Sequence, residues 1–89
     1  MISFIFTKQA KKALLKVSSA SQKRILDKLT ILKDHEDVLS VVRQLKDFDP
    51  ATHRLRIGSY RLILQLTEQK ESNITFYVLD VGHRRQIYK

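Results

Sequence analysis

The spacing of apolar side chains changes rhythm along this chain, and each rhythm predicts an element. Ile2–Phe6 (ISFIF) is an unbroken β-branched and aromatic run, the composition of a short strand. From Thr7 the period becomes three and four. Ala10, Ala13, Leu14 and Val17 form a narrow apolar stripe, and Lys8, Lys11, Lys12 and Lys16 fill another face. Thr7 is placed to cap this helix, which runs to about Lys16 or Val17. Ser18, Ser19 and Ser21 interrupt the pattern and offer caps for a second helix. Its apolar positions are Ile25, Leu26, Leu29 and Leu32, with Lys23, Arg24, Asp27 and Lys28 outside the stripe. So short a link predicts an antiparallel helix pair. Neither stripe can be hidden alone, so both helices should lie on the apolar side of a sheet. Residues 34–50 carry a cluster (Val38, Leu39, Val41, Val42, Leu45) that suits a short helix, although its valines also allow a strand.

The period falls to two in His53–Leu66 (HRLRIGSYRLILQL), which predicts a β-hairpin. Glycine first in the pair Gly58-Ser59 suits a type II′ turn. That register sets Ile57 opposite Tyr60, Arg56 opposite Arg61 and Leu55 opposite Leu62. Alternation then puts Leu55, Ile57, Tyr60, Leu62 and Leu64 on one face and Arg54, Arg56 and Arg61 on the other. Like charges directly opposite cost roughly a few tenths of a kcal/mol or more. An anionic ligand would offset that cost, as would a carboxylate from elsewhere in the fold. A loop one residue longer would break the Arg pairing. Glu68–Asn73 reads as a polar turn, and Ile74–Val81 (ITFYVLDV) as an interior strand, bulky on both faces. The elements together predict an α+β fold: an N-terminal strand and a two-helix hairpin packed on a small, mostly antiparallel twisted sheet, in the order β-α-α-β-β-β. At 89 residues one domain, 1–89, is expected.

Composition narrows the partner more than the fold. A formal net charge of +8 implies a polyanion, whether nucleic acid, an acidic protein or both in turn. There is no cysteine, so nothing depends on disulfide or thiolate chemistry, as fits a reducing compartment. The opening MISFIFTKQAKK is too short in its apolar run for a signal h-region or a membrane span, so a cytoplasmic protein with no membrane partner is expected. His35 stands beside Glu36 and Asp37 with no second His at a ligand spacing, so no metal site is expected.

Candidate chemistry lies where the hairpin meets the tail Gly82-His83-Arg84-Arg85-Gln86-Ile87-Tyr88-Lys89. Sequential antiparallel strands usually pair, and pairing of the last strand with Tyr60–Thr67 would carry the tail toward the Arg face. Such a pocket would hold several guanidinium groups, one imidazole and one or two phenols. Metal-free RNA cleavage uses that set: a base takes the ribose 2′-OH proton, cations stabilise the phosphorane, and an acid protonates the leaving 5′-oxygen. Arginine suits the middle task because its fork matches phosphate and it does not deprotonate. Histidine is the usual proton carrier at physiological pH, which makes His83 the natural candidate for that task. His83 could equally be a strand-end residue bonded to backbone, and Tyr88 a terminal aromatic capping the core. The lysines of the first helix can track phosphates or simply solvate its face.

The blocks R-L-R-I-G-S-Y-R-L-I-L at Arg54–Leu64 and V-L-D-V-G-H-R-R-Q-I-Y at Val78–Tyr88 resemble the RelE/ParE toxin superfamily of toxin–antitoxin systems, and the similarity extends over essentially the whole chain. The resemblance implies a compact toxin. RelE-type members cut mRNA in the ribosomal A site without metal or cofactor, leave a cyclic phosphate, and are neutralised by a cognate antitoxin that wraps them. It implies catalytic roles for Arg56, Arg61, His83, Arg84 and Tyr88. It matches Arg54 more loosely to a second basic position, and the further substrate contacts expected, from Lys8, Lys11, Lys12 and Arg85, rest on the basic helix face and tail rather than on the resemblance. RelE itself has lysines where Arg54 and Arg56 stand, and arginine is a poor base, so that duty would pass to His83 or Tyr88. The Glu that some relatives use has no clean counterpart in Asp47 or Asp49. Two other functions remain open: a ParE-type toxin that inhibits DNA gyrase by binding, and a cleavage-dead RNA- or ribosome-binding module.

Overall fold

A computed structural model describes residues 1–70 and 73–83. The elements are β1 (Ile2–Phe6), α1 (Lys8–Leu15), α2 (Ser19–Leu32), α3 (Val38–Val41), β2 (Arg43–Gln44), β3 (His53–Ile57), β4 (Tyr60–Lys70) and β5 (Asn73–His83). One sheet in the order β1-β5-β4-β3-β2 joins all the described strands, with β1 parallel to β5 and the other neighbours antiparallel. This is the expected α+β arrangement. The ambiguous stretch 34–50 yields both readings, a one-turn helix and then a two-residue edge strand.

The helix ends follow their capping residues. Thr7 Oγ1 accepts the Ala10 N–H at 3.1 Å and opens α1, and Ser18 Oγ accepts the Ser21 N–H at 3.3 Å and opens α2. Both apolar stripes press on one face of the sheet. Ala10, Ile25, Leu29 and Leu32 join Leu55, Ile57, Leu62, Leu64, Phe76 and Val78 in a buried cluster, with Val38 and Val42 sealing the end near β2. Leu26 is a correction. Its spacing put it on the α2 stripe, but it is 45% exposed, because the helix contact is too narrow to cover that flank.

The hairpin has the expected register, with Ile57 opposite Tyr60, Arg56 opposite Arg61 and Leu55 opposite Leu62. Gly58 lies at φ +60° while Ser59 stays at negative φ, as a type II′ turn requires. The polar segment after Thr67 is more ordered than its composition suggests. The β4–β5 ladder continues to Lys70 opposite Asn73, so most of the expected turn is strand.

That ladder contains two irregularities. Ile63 faces Asp80 while the next residue, Leu64, faces Val78, so Leu79 is an extra residue on β5. Thr67 is likewise skipped between the pairs Leu66–Phe76 and Glu68–Thr75. The first bulge decides what the end of β5 presents on each side. Beyond it Val81 and His83 follow Phe76 and Val78 onto the helix-covered face, and Asp80 and Gly82 turn to the open one.

Candidate functional site

The open face of the sheet is built from two rows of residues. In one, Arg56 of β3 faces Arg61 of β4, which faces Gly82 of β5. In the other, Arg43 of β2, Arg54 of β3, Ile63 of β4 and Asp80 of β5 lie side by side. Four guanidinium groups thus occupy neighbouring positions beside one carboxylate. Their exposure is graded: Arg56 and Arg43 are exposed, Arg54 is half-buried, and Arg61 is only 8% exposed. Like charges directly opposite each other in a ladder cost stability. Gly82 adds no side chain to the row. Asp80 Oδ1 accepts the N–H of Val81 at 2.8 Å, which fixes the carboxylate's orientation on the strand.

His83 is not part of this face, and the expected convergence of imidazole and arginines fails for that residue. It pairs with Tyr60, and the two rings meet edge-on at 5.8 Å and 82°. Tyr60 packs against the core on the helix side, and His83 follows it. The physical reason is the bulge at Leu79, which moves every later side chain of β5 to the opposite face. His83 instead borders a cavity of about 440 Å³ with Ala13, Lys16, Val17 and Tyr60.

Lys8, Lys11 and Lys12 are exposed on α1, in the helix layer and so across the sheet from the arginines. Lys11 instead borders an apolar groove formed with Phe6, Leu14, Leu15 and Leu26. These lysines are therefore not brought together with Arg54, Arg56 and Arg61. Arg84, Arg85 and Tyr88 lie outside the described residues. Among the described residues there is no cluster of three His, Cys, Asp or Glu that could hold a metal ion, and no helix is long and apolar enough to cross a membrane.

Sequence reasoning missed Arg43 and Asp80. Arg43 joins the face through a two-residue strand with no periodicity to read. Asp80 joins it through a bulge, which Leu79-Asp80 does not announce in one dimension. A third imidazole, His53, meets the Phe76 ring edge-on at 5.7 Å on the helix side, and burial there lowers its pKa from 6.5.

A family model for the ParE toxin of the type II toxin–antitoxin system parDE matches residues 4–88. Comparison with curated proteins gives no match. Solved structures similar to this chain include the RelBE2 toxin–antitoxin complex from Mycobacterium tuberculosis, at TM-score 0.71 and 23% identity over 92% of this chain and 96% of that one. The intact E. coli RelBE toxin–antitoxin complex matches at TM-score 0.62 and 21% identity, covering 90% and 93%. The RelB–RelE antitoxin–toxin complex from Methanococcus jannaschii matches at TM-score 0.55 and 28% identity, covering 94% of each chain.

Proposed function

The chain belongs to the ParE toxin family, within the RelE/ParE superfamily of type II toxin–antitoxin systems, and from that premise we propose that it is an endoribonuclease, acting as a single toxin domain over residues 1–89. Its substrate is mRNA in the ribosomal A site, cut without metal in the cytoplasm so that translation stops. Its resting partner is a cognate antitoxin, as in the RelB–RelE complexes it resembles in fold. The observation that carries the reading is the Arg56–Arg61 pair on an open face, flanked by Arg54 and Arg43.

The chemistry follows from that face. Arg61, with Arg56 beside it, grips the scissile phosphate and stabilises the charge that builds on its oxygens. With His83 turned to the helices, the base must come from the open side. Asp80, the carboxylate one row from Arg56 and Arg61, takes the ribose 2′-OH proton. The 2′-oxygen bonds to phosphorus, the P–O5′ bond breaks, and a 2′,3′-cyclic phosphate remains. Tyr88 and Arg84 keep the acid and phosphate roles that the resemblance implies, and Arg85 a backbone contact.

The test is to map mRNA 5′ ends after brief expression, and on purified translating ribosomes with EDTA added after assembly. Codon-phased cuts that survive chelation support the reading, and cuts that need a divalent ion at the toxin oppose it. Asp80→Asn should slow cutting by about 10²–10⁴-fold with ribosome binding retained.

A second reading, a gyrase inhibitor, is favoured by two observations. The matching family model is that of ParE, and the imidazole faces away from the arginines. Purified protein that blocks gyrase supercoiling and leaves A-site mRNA intact would establish it over the nuclease.

A further inference from the structure

The helix side of the hairpin tip holds a second cationic surface. A groove of about 390 Å³ runs between α2 and the end of β3, beyond the point where the short edge strand β2 stops covering it. It is lined by Arg24 and Lys28 from α2 and Arg56 from β3, with Ile31 and Ile57 beside them. Arg24 and Lys28 are four residues apart and so project from the same side of the helix. Asp27 also borders the groove, leaving three cations against one carboxylate.

Arg24 reaches the hairpin turn. Its Nη1, Cζ and Nε lie 3.4, 3.7 and 4.0 Å from where a Cβ on Gly58 would stand. The guanidinium is therefore laid against the hairpin turn, a close approach that a residue without a side chain permits. Arg56 is common to this groove and to the open face, where it stands opposite Arg61. Cationic groups thus continue from Arg61 through Arg56, around the exposed end of β3, to Arg24 and Lys28. A run of cations continuous from the sheet face into a groove suits a polymer whose phosphates recur along its length.

We propose that the groove between α2 and the hairpin tip binds the phosphodiester backbone of single-stranded RNA, continuing the track that begins on the Arg face. The proposal rests on the reading of the chain as an RNA-directed toxin and extends it to residues outside the cleavage site. Arg24 and Lys28 hold phosphates flanking the bond to be cut, so they set affinity and register rather than the chemical step.

The test is anisotropy titration of the purified chain with a 2′-O-methylated single-stranded oligonucleotide, which binds but offers no 2′-OH for attack. Titrations run across a salt series, for wild type, for Arg24→Ala with Lys28→Ala, and for the charge-matched control Lys33→Ala with Lys46→Ala. Two lost phosphate contacts should make the log–log salt slope shallower by about 1.4, while the control keeps the wild-type slope. Equal urea midpoints exclude a folding defect in either variant, and a lowered midpoint is answered by Arg24→Lys, which keeps the charge and should keep the slope. An unchanged slope in the groove variant, an equal change in the control, or no binding by wild type overturns the proposal. Groove-dependent binding of polyglutamate without groove-dependent binding of RNA also overturns it and assigns the surface to an acidic protein segment. Groove-dependent RNA binding by a protein that never cuts mRNA would leave the groove standing and remove the nuclease reading.

Discussion

Arg61 is 8% exposed and stands directly across from Arg56, so the sheet bears a like-charge cost at that point, which a bound phosphate would offset on the proposed reading. Arg61→Met keeps a side chain of similar length but removes the guanidinium, and on the proposed reading it should abolish mRNA cutting while a urea melt still shows a folded protein; unchanged cutting would remove Arg61 from the site. Arg61→Lys keeps the charge but loses the planar fork, and should recover only part of the activity. His53 supplies the pH dependence. Burial lowers its pKa in the fold, so between the lowered value and 6.5 the unfolded chain binds more protons than the native one. Stability contributed by neutral His53 is therefore full above about pH 6.5 and is lost as pH falls from there through the native pKa. Urea midpoints at pH 7.5 and 5 should differ more for wild type than for His53→Phe.

Among the elements, β5 decides the geometry of the face, and Thr7 ties it down. The Thr7 hydroxyl accepts from Ala10 N to start α1 and donates to the Leu79 carbonyl at 3.4 Å, while the Thr7 N–H donates to Val78 O at 3.0 Å. One residue thus links the start of α1 to the bulge that aims Asp80. Thr7→Ala should cost about 0.5–2 kcal/mol as a lost cap, measured by chemical denaturation, with Thr7→Ser recovering most of it. Deletion of Leu79 removes the extra residue and leaves Leu64 opposite Val78 and Ile63 opposite Asp80, so Asp80 stays on the open face. Cutting should then fall by no more than the stability loss measured by chemical denaturation explains. At the hairpin tip, Gly58→Ala would meet only the movable end of Arg24 at 3.4 Å, so its cost comes from the φ of +60°, on the order of 1–2 kcal/mol.

Across the whole molecule, a net charge of +8 is divided between two layers. One side of the sheet carries Arg43, Arg54, Arg56 and Arg61, the other the lysines of α1, and the hairpin tip joins the first side to α2 through Arg56. Binding to ribosomes dominated by phosphate contacts should fall by about 10³–10⁵ between 50 and 200 mM salt if six to ten contacts are made. Alanine at Lys8, Lys11 and Lys12 together should change that dependence little if the sheet face docks. A flat salt response in wild type would remove these surfaces from the docking face.

The order of the long elements, the Thr7 cap, the helix stripes apart from Leu26 and the hairpin register were legible in one dimension, because each depends on spacings of two to four residues or on one glycine at a turn; the short α3 and β2 were not. The Arg56–Arg61 pair was legible for the same reason. What required the tertiary structure was the side each group faces at the end of β5. A single extra residue at Leu79 is compatible with the local sequence, since strand propensity is satisfied either way. It is selected by how β5 meets β4 and by the hydroxyl of Thr7, 72 residues away in sequence. That choice placed Asp80 among the arginines and His83 beneath the helices. A face is a property of two paired strands, and no single stretch of the chain contains it.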